Sequence, residues 1–388
     1  MLRKPELDAN WKKAVHTHAL TESADGSFVR PLSGLFDVEV LKRKPRVLFG
    51  YLSAKDWAFV EFLCFLHASW RYVTSMAQPT GYRIDLVVFA EGRWLREVAA
   101  LCQVLDLDEL EEDDYNRIRR LGNAAACFVV PYPRAPPQVW QNYPFVSSYH
   151  FLADERVQRL LGENYGYALK TDLDCFITPT LIHHFPQQLE VGYMPYTPHP
   201  TTGERLRAVA ASLGLTHAGI HDIGPTWYGD VPTLLALASA SLPLVHHLLD
   251  RHFDKAPDGS WRQNWAQGEG WPLWSKDMAV MYAPDILLSH MVQHWERSKK
   301  YDVHGDSERY TFALYHIHLQ HGDGDFSKFE FFKHHYDGRD ITQGLDFNLV
   351  RDYALWLAVS TWRHVRGGQA ALQAGAGAGG LAAGAGSG

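Results

Sequence analysis

The stretch that most constrains the fold is residues 165–179, YGYALKTDLDCFITP. An apolar run ends abruptly in Asp172 and Asp174, and a loop marked by Pro179 follows. Alternate residues of an extended chain point the same way, so both carboxylates can address one ligand while Leu173 turns into the core. In an open α/β sheet, ligands bind just outside the carboxyl ends of the strands. A strand that delivers two carboxylates there reads as a station for a metal or a phosphate.

The preceding sequence supplies the sheet. Arg46–Leu52 reads as a buried strand, and residues 57–73 are apolar almost all round, as in a helix packed on a sheet. A second strand follows at Arg83–Phe89, and a more amphipathic helix at 93–105. Ala126–Val130 is a third strand, closed by Pro131 and Pro133, and a helix over 146–161 leads into the central strand. This order predicts an α/β fold, Rossmann-like, with a mostly parallel central sheet, flanking helices and right-handed crossovers. After Asp174 the alternation loosens. Short strands or loops are expected at 191–196 and 223–230, a helix at 231–250, and regular structure again at 276–288. Residues 1–44 read as a polar arm, 45–366 as one domain with a less regular C-terminal half, and 367–388 as a Gly/Ala tail. That tail is too poor in large side chains to bury anything, so it is expected to be disordered.

Net charge is −7, which argues against a general nucleic-acid surface. The amino terminus has no apolar signal-peptide core, and no uninterrupted apolar run is long enough to span a bilayer. Cys64, Cys102, Cys127 and Cys175 lack CxxC spacing and read as small buried hydrophobes, not as a zinc site or disulfide framework. These features predict a soluble chain in a reducing, cytoplasmic compartment. The Golgi lumen is the alternative if a native anchor is missing.

Asp-x-Asp occurs three times, at Asp106/Asp108, Asp172/Asp174 and Asp323/Asp325. The first lies among Glu109, Glu111 and Glu112, an ordinary solvated acidic face. Asp172 and Asp174 differ in following an apolar strand directly. Two hard oxygen ligands suit Mg²⁺ or Mn²⁺ bound with a phosphate; a capped strand end with solvated aspartates is the plain alternative. His316 and His318 alternate on an apolar-flanked strand, with His321 just beyond in a Gly/Asp loop. Imidazole mixed with carboxylate favours Mn²⁺ over Mg²⁺. The Gly-Asp-Gly turn would let backbone N–H groups and Lys328 approach a diphosphate. A zinc site of His316, His318 and His321 stays open, although nothing matches a defined zinc spacing. Trp261, Trp265, Trp271 and Trp274 could line an acceptor groove for the apolar faces of a sugar, or simply pack in the core. Glu269 and Asp277 flank them, and either could act as general base in an inverting reaction.

Taken together, VLFGYLSA at the first strand, ALKTDLDCFITP, GPTWYG and the late histidine before a Gly-rich loop and lysine resemble the GT-A family of nucleotide-sugar-dependent glycosyltransferases. The resemblance covers about residues 45–335 and is one of organisation. It implies a metal-dependent transferase that takes a nucleotide-sugar, expected to be a UDP-sugar, and a glycan, glycoprotein or small-molecule acceptor. It would have Asp174 bind the metal that bridges the diphosphate, with Asp172 on the metal or the donor ribose. His318 or His321 would be the late metal ligand, and Lys328 would neutralise phosphate charge. Phe49, Gly50 and Tyr51 would meet the base, Lys170 would join the donor site, and Trp227, Tyr228 and Gly229 would border the donor sugar and acceptor. Two other classes compete: a nucleotidyltransferase on a similar sheet, and a non-catalytic carbohydrate- or metal-binding protein. Against the nucleotidyltransferase, no glycine-rich basic loop follows the first strand.

Overall fold

The computed structural model describes residues 32–77, 80–141, 143–196, 200–253, 273–319 and 326–378. β1 (Arg46–Leu52) leads into α1 (Asp56–Glu61), which passes through a π turn (Phe62–Leu66) into α2 (His67–Ala77). There follow β2 (Ile84–Ala90), α3 (Leu95–Ala99), β3 (Gln103–Val104), α4 (Glu112–Arg120), β4 (Cys127–Pro131), α5 (Glu155–Asn164), β5 (Tyr167–Lys170) and β6 (Cys175–Ile177). Then come β7 (Leu189–Tyr193), α6 (Pro200–Ser212), β8 (Ile223–Asp230), α7 (Val231–Arg251), α8 (Ala279–Met291), β9 (Trp295–Arg297), β10 (Val303–His304), β11 (His316–His318) and α9 (Val350–Ala378).

Eight strands form the main sheet in the order β3-β4-β2-β1-β5-β8-β7-β9. From β3 to β5 the pairs are parallel. β8 then runs antiparallel to both β5 and β7, and β9 is parallel to β7. The architecture is therefore a mixed α/β sheet flanked by helices, and the expectation of a mostly parallel sheet is corrected beyond β5. An apolar run discloses that a segment is a strand but not its direction, which is set by whether a crossover returns the chain to the same end. A second sheet, β10-β11-β6, lies beside the first, with β11 antiparallel to β6.

β1 and β2 are buried on both faces, which explains their continuous apolar runs. Successive side chains leave on opposite faces. Val47, Phe49, Val87 and Phe89 enter the core shared with α5, α7 and α8, whereas Leu48, Leu52, Leu86 and Val88 enter the one shared with the π turn, α2 and α9. The charged residue inside β2 is accounted for: Asp85 receives hydrogen bonds from Arg83 (2.6 and 2.8 Å), the Ala126 N–H and the Tyr165 hydroxyl. Among the described residues only α7 is long and apolar enough to cross a bilayer by composition. Two thirds of that window (67%) is buried, and α7 packs on α8 and β8 as a core helix.

Other differences are local. The helix expected over 93–105 stops at Ala99, because Gln103 and Val104 pair with Phe128 and Val129 at the sheet edge. The helix expected over 146–161 is interrupted at Asp154, whose extended backbone and side chain cap α5 through the Arg156 N–H. The backbone of α9 continues to Ala378, into the Gly/Ala segment for which the sequence predicts no order. The cysteine reading also needs correction. Cys102 and Cys127 form a disulfide, with Cα atoms 4.6 Å apart, while Cys64 and Cys175 are free and buried. The partners lie 25 residues apart in sequence, a spacing that carries no motif and becomes legible only when β4 joins the sheet beside α3.

The disulfide ties the edge segment of α3, β3 and α4 to β4. Closing a loop of this length stabilises a fold by about 3 kcal/mol through the entropy of the unfolded chain. Thermal unfolding of Cys102→Ala/Cys127→Ala, or of reduced wild type, should show that loss; the double variant should no longer respond to reductant, whereas Cys64→Ala should respond as wild type does.

Candidate active site

The site is assembled where the two sheets meet. The Thr171 N–H donates to the Phe49 carbonyl (3.0 Å), which holds the end of β5 against β1 for one residue past the strand. Gly50 permits this approach, since a Cβ there would lie 3.0 Å from the Thr171 oxygen and 3.1 Å from Leu173 Cδ2. Asp172 and Asp174 follow, and Cys175 opens β6 opposite His318 on β11. The Leu319 N–H donates to the Asp174 carbonyl (2.8 Å), locking that register. His318 Nε2 consequently lies 3.2 Å from Asp174 Oδ1, and its Nδ1 lies 3.3 Å from Asp302 Oδ1.

Asp302 precedes β10 with φ of 53°, and its carboxylate reaches back between β7 and β8. A Cβ at Gly192 or Gly224 would fall 1.7 or 1.9 Å from Asp302 Oδ2, so these two positions must be glycine for the carboxylate to lodge there. Thr226 completes its shell, with the hydroxyl donating to Oδ1 (2.7 Å) and the N–H to Oδ2 (3.3 Å). His316 accepts at Nδ1 from the Asp302 N–H (3.2 Å), so in the neutral ring Nε2 carries the proton and donates to the Thr171 hydroxyl (2.7 Å). Lys328, which opens the short helix Lys328–Phe332, pairs with Asp174 Oδ2 and lies 3.5 Å from Glu61 Oε1. Glu61 ends α1 at the π turn and is buried, and its Oε1 receives no well-aligned hydrogen bond.

The charges set one another. Burial opposes the charged form of His318, but Asp174 and Asp302 outweigh it and hold the imidazole well above its usual value. With both ring nitrogens facing carboxylates, His318 is an imidazolium. Burial likewise opposes ionisation of Asp174 and Asp302, yet His318 with Lys328 in one case, and His318, His316 and Thr226 in the other, keep both below the usual carboxylate range. Burial pushes His316 down to about 4, so that ring is neutral. Burial and the Asp174 charge push Glu61 up, and burial pushes Asp172 up. The Asp172 carboxylate takes no hydrogen bond from the described residues.

A family profile described as a domain of unknown function, DUF7164, matches residues 42–355. The chain belongs to this family. Its DUF7164 domain reaches from four residues before β1 into α9 and contains every site residue named above. Among curated proteins none matches the sequence. Solved structures overlap it loosely. One is mouse xyloside xylosyltransferase 1 in its apo form, with 9% identity, TM-score 0.33, 67% of this chain and 87% of that one. Another is the mannosyltransferase Ktr4p of S. cerevisiae in complex with GDP, with 9% identity, TM-score 0.30, 76% of this chain and 79% of that one. Scores this low do not establish a shared fold.

Of the residues picked out in the sequence, Asp172, Asp174, His318 and Lys328 come together in the DUF7164 domain. Several others do not. Phe49 is fully buried between Phe89 and Phe151 and presents no surface to a base. Lys170 is buried beneath the site, donating to the Pro225 carbonyl (3.0 Å) with its ammonium over the rings of Tyr149 and Trp227. Trp227 and Tyr228 are buried core residues, and Gly229 packs against Leu189 and Phe36. Tyr51 is half-buried, stacked on Phe151 and bonded to Glu91 (3.0 Å) at the sheet end. Asp277 is exposed beside Tyr143 at the start of α8, and Trp274 is stacked in the core between Phe253 and Tyr282. Glu269, His321, Trp261, Trp265 and Trp271 lie outside the described residues. Sequence reasoning missed Asp302, Thr226 and Glu61. Only Glu61 left a signal, as a lone carboxylate inside the apolar run WAFVEFLCFL.

His318 has a folded value above its unfolded one, so its contribution to stability is complete below pH about 6.5 and is lost as pH rises through the folded value. The stability gap between wild type and His318→Gln, measured by urea unfolding, should therefore be widest in mild acid and narrow as pH climbs. A gap that widens with pH would refute the imidazolium bridge.

Proposed function

We propose that this DUF7164 protein is a glycosyltransferase that moves a sugar from a nucleotide-sugar to a hydroxyl acceptor at the Asp172/Asp174 end of the sheet. The observation that carries this reading is the convergence of two strand-end carboxylates, an imidazole and a lysine ammonium on one point between the sheets. A transferase that expels a nucleoside diphosphate needs cationic groups fixed where negative charge develops.

The donor set also fits a hard divalent cation such as Mn²⁺. Donor atoms of Asp174, Cys175 and His318 lie within 4.8 Å of one another; Asp172 stands outside that set, and its carboxylate would have to turn in to join it. Asp172 and Asp174 would hold the ion, with His318 as the nitrogen ligand. When bound, the ion would neutralise charge on the diphosphate. The protein's own residues do the rest. Burial opposes the charge on Lys328, but Asp174 and Glu61 outweigh it and hold the ammonium protonated, so it can swing from Asp174 to a phosphate oxygen. Asp302 and Thr226 hold His318 in place, and coordination by His318 requires its Nε2 proton to leave, so cation affinity rises with pH. Because Asp174 is already paired with two cations, a purely structural charge cluster is the competing reading.

The reading extends to partners and place. Acceptors would be a glycan, a glycoprotein or a small molecule. The Cys102–Cys127 disulfide favours an oxidising compartment, such as the lumen of the secretory pathway, over the cytoplasm.

UDP and GDP, each with and without Mn²⁺, should be titrated against wild type, Asp174→Asn and Asp172→Asn while thermal unfolding is followed. A ligand at a hundredfold excess over Kd stabilises the native state by about 2.7 kcal/mol. The expected result is a Mn²⁺-dependent shift with at least one nucleotide that both variants lose. Asp172→Asn breaks no internal pair, so its folding is the safer control. No shift with either nucleotide would leave the structural-cluster reading standing.

A further inference from the structure

The Cys102–Cys127 pair has a third member. His67, the first residue of α2, brings a ring nitrogen to the two sulfurs, and the three donor atoms lie within 4.8 Å of one another. The ring is buried at 4% exposure and makes no hydrogen bond in the structure; its neighbours are the rings of Phe62 and Trp70. Its position rests on three elements: the π turn that ends at Leu66, the turn in which the Cys102 N–H bonds to the Val98 carbonyl (2.8 Å), and the first residue of β4. All three belong to the buried core on the α2 face of the sheet.

We propose that His67, Cys102 and Cys127 form a zinc site when the disulfide is reduced, so that a metal clamp can take the place of the covalent one. Two thiolates and one imidazole are a donor set zinc takes readily, with Zn–S of about 2.3 Å and Zn–N of about 2.0–2.1 Å. Tetrahedral geometry at those lengths sets the sulfurs about 3.8 Å apart, which side-chain rotation at the two cysteines supplies once the bond is broken. Zn²⁺ with two thiolates is also electrically neutral, which suits surroundings of Phe62, Trp70 and Val98 better than any charged alternative. The described residues offer no fourth ligand, which leaves that position to water. The steps balance. A phosphine reductant takes oxygen from water to become a phosphine oxide, delivering two electrons and two protons to the S–S bond. Zn²⁺ then replaces the two thiol protons, which leave to solvent. The reading does not depend on the proposed transferase activity.

The test compares full-length protein in its oxidised form and after anaerobic reduction with a water-soluble phosphine, using Co²⁺ as a spectroscopic probe and then Zn²⁺. Any ion held by the aspartate site appears in both forms, so the difference between them is read. Reduced protein should take one further equivalent, show a thiolate-to-cobalt charge-transfer band, and lose that band when Zn²⁺ is added. His67→Asn should weaken this extra binding by roughly tenfold or more, since losing a direct ligand costs at least as much as losing a supporting partner. Cys64→Ser should leave it unchanged. Equal uptake in the two redox forms, absence of the charge-transfer band, or indifference to His67→Asn in a variant that circular dichroism shows to be folded would overturn the proposal. The wild-type comparison needs no substitution, so a misfolded variant cannot decide the outcome.

Discussion

His318 stands between Asp174 and Asp302, with one ring nitrogen toward each, and the arrangement of the sheet ends around it follows from that bridge. Neither carboxylate could remain ionised at such burial without a cation against it, and an imidazolium with no anions there would be equally costly. Lys328 supplies the second positive charge, so Asp174, Asp302, His318 and Lys328 sum to zero. Breaking a buried pair by deleting one partner typically costs about 3–5 kcal/mol, which makes the cluster stable as a set and fragile in its parts. Asp172 stays outside this balance. It borders the neutral set without being used by it, and that is the property a ligand-binding carboxylate needs.

The fold produces this bridge by joining two sheets that the chain visits at distant points. β5 brings the aspartates, β11 brings His318 by pairing with β6, and the residue before β10 returns Asp302 to the cleft between β7 and β8. Glu61 arrives from a third direction, at the boundary where an α-helix widens into a π turn. Such turns recur at functional sites because they re-aim a side chain without breaking the helix. Lys328 links the two contributions by touching both Glu61 and Asp174.

How much of this was legible in the sequence depended on the physical scale of each signal. β1, β2, β4, β5 and α7 were readable because burial on both faces forces long apolar runs, and Asp172/Asp174 stood out against such a run. The direction of β8 was not readable, nor were β9 and β10, which are too short for any periodicity to develop. Asp302 was hidden for the same reason, since it lies in SKKYDVHGD, which reads as solvated loop. The burial of Phe49, Trp227 and Tyr228 was not readable, because an aromatic residue in a strand looks alike whether it faces a ligand or a neighbouring helix. The disulfide could not be read at all, because Cys102 and Cys127 meet only through tertiary pairing of β4 with the edge.

The two glycines that admit Asp302 lie on adjacent strands, Gly192 on β7 and Gly224 on β8, and the carboxylate fills the space of both missing side chains. The electrostatic centre is therefore moulded into the backbone of the sheet itself. A single methyl group added to the sheet at either glycine would eject the anion on which the charge balance turns.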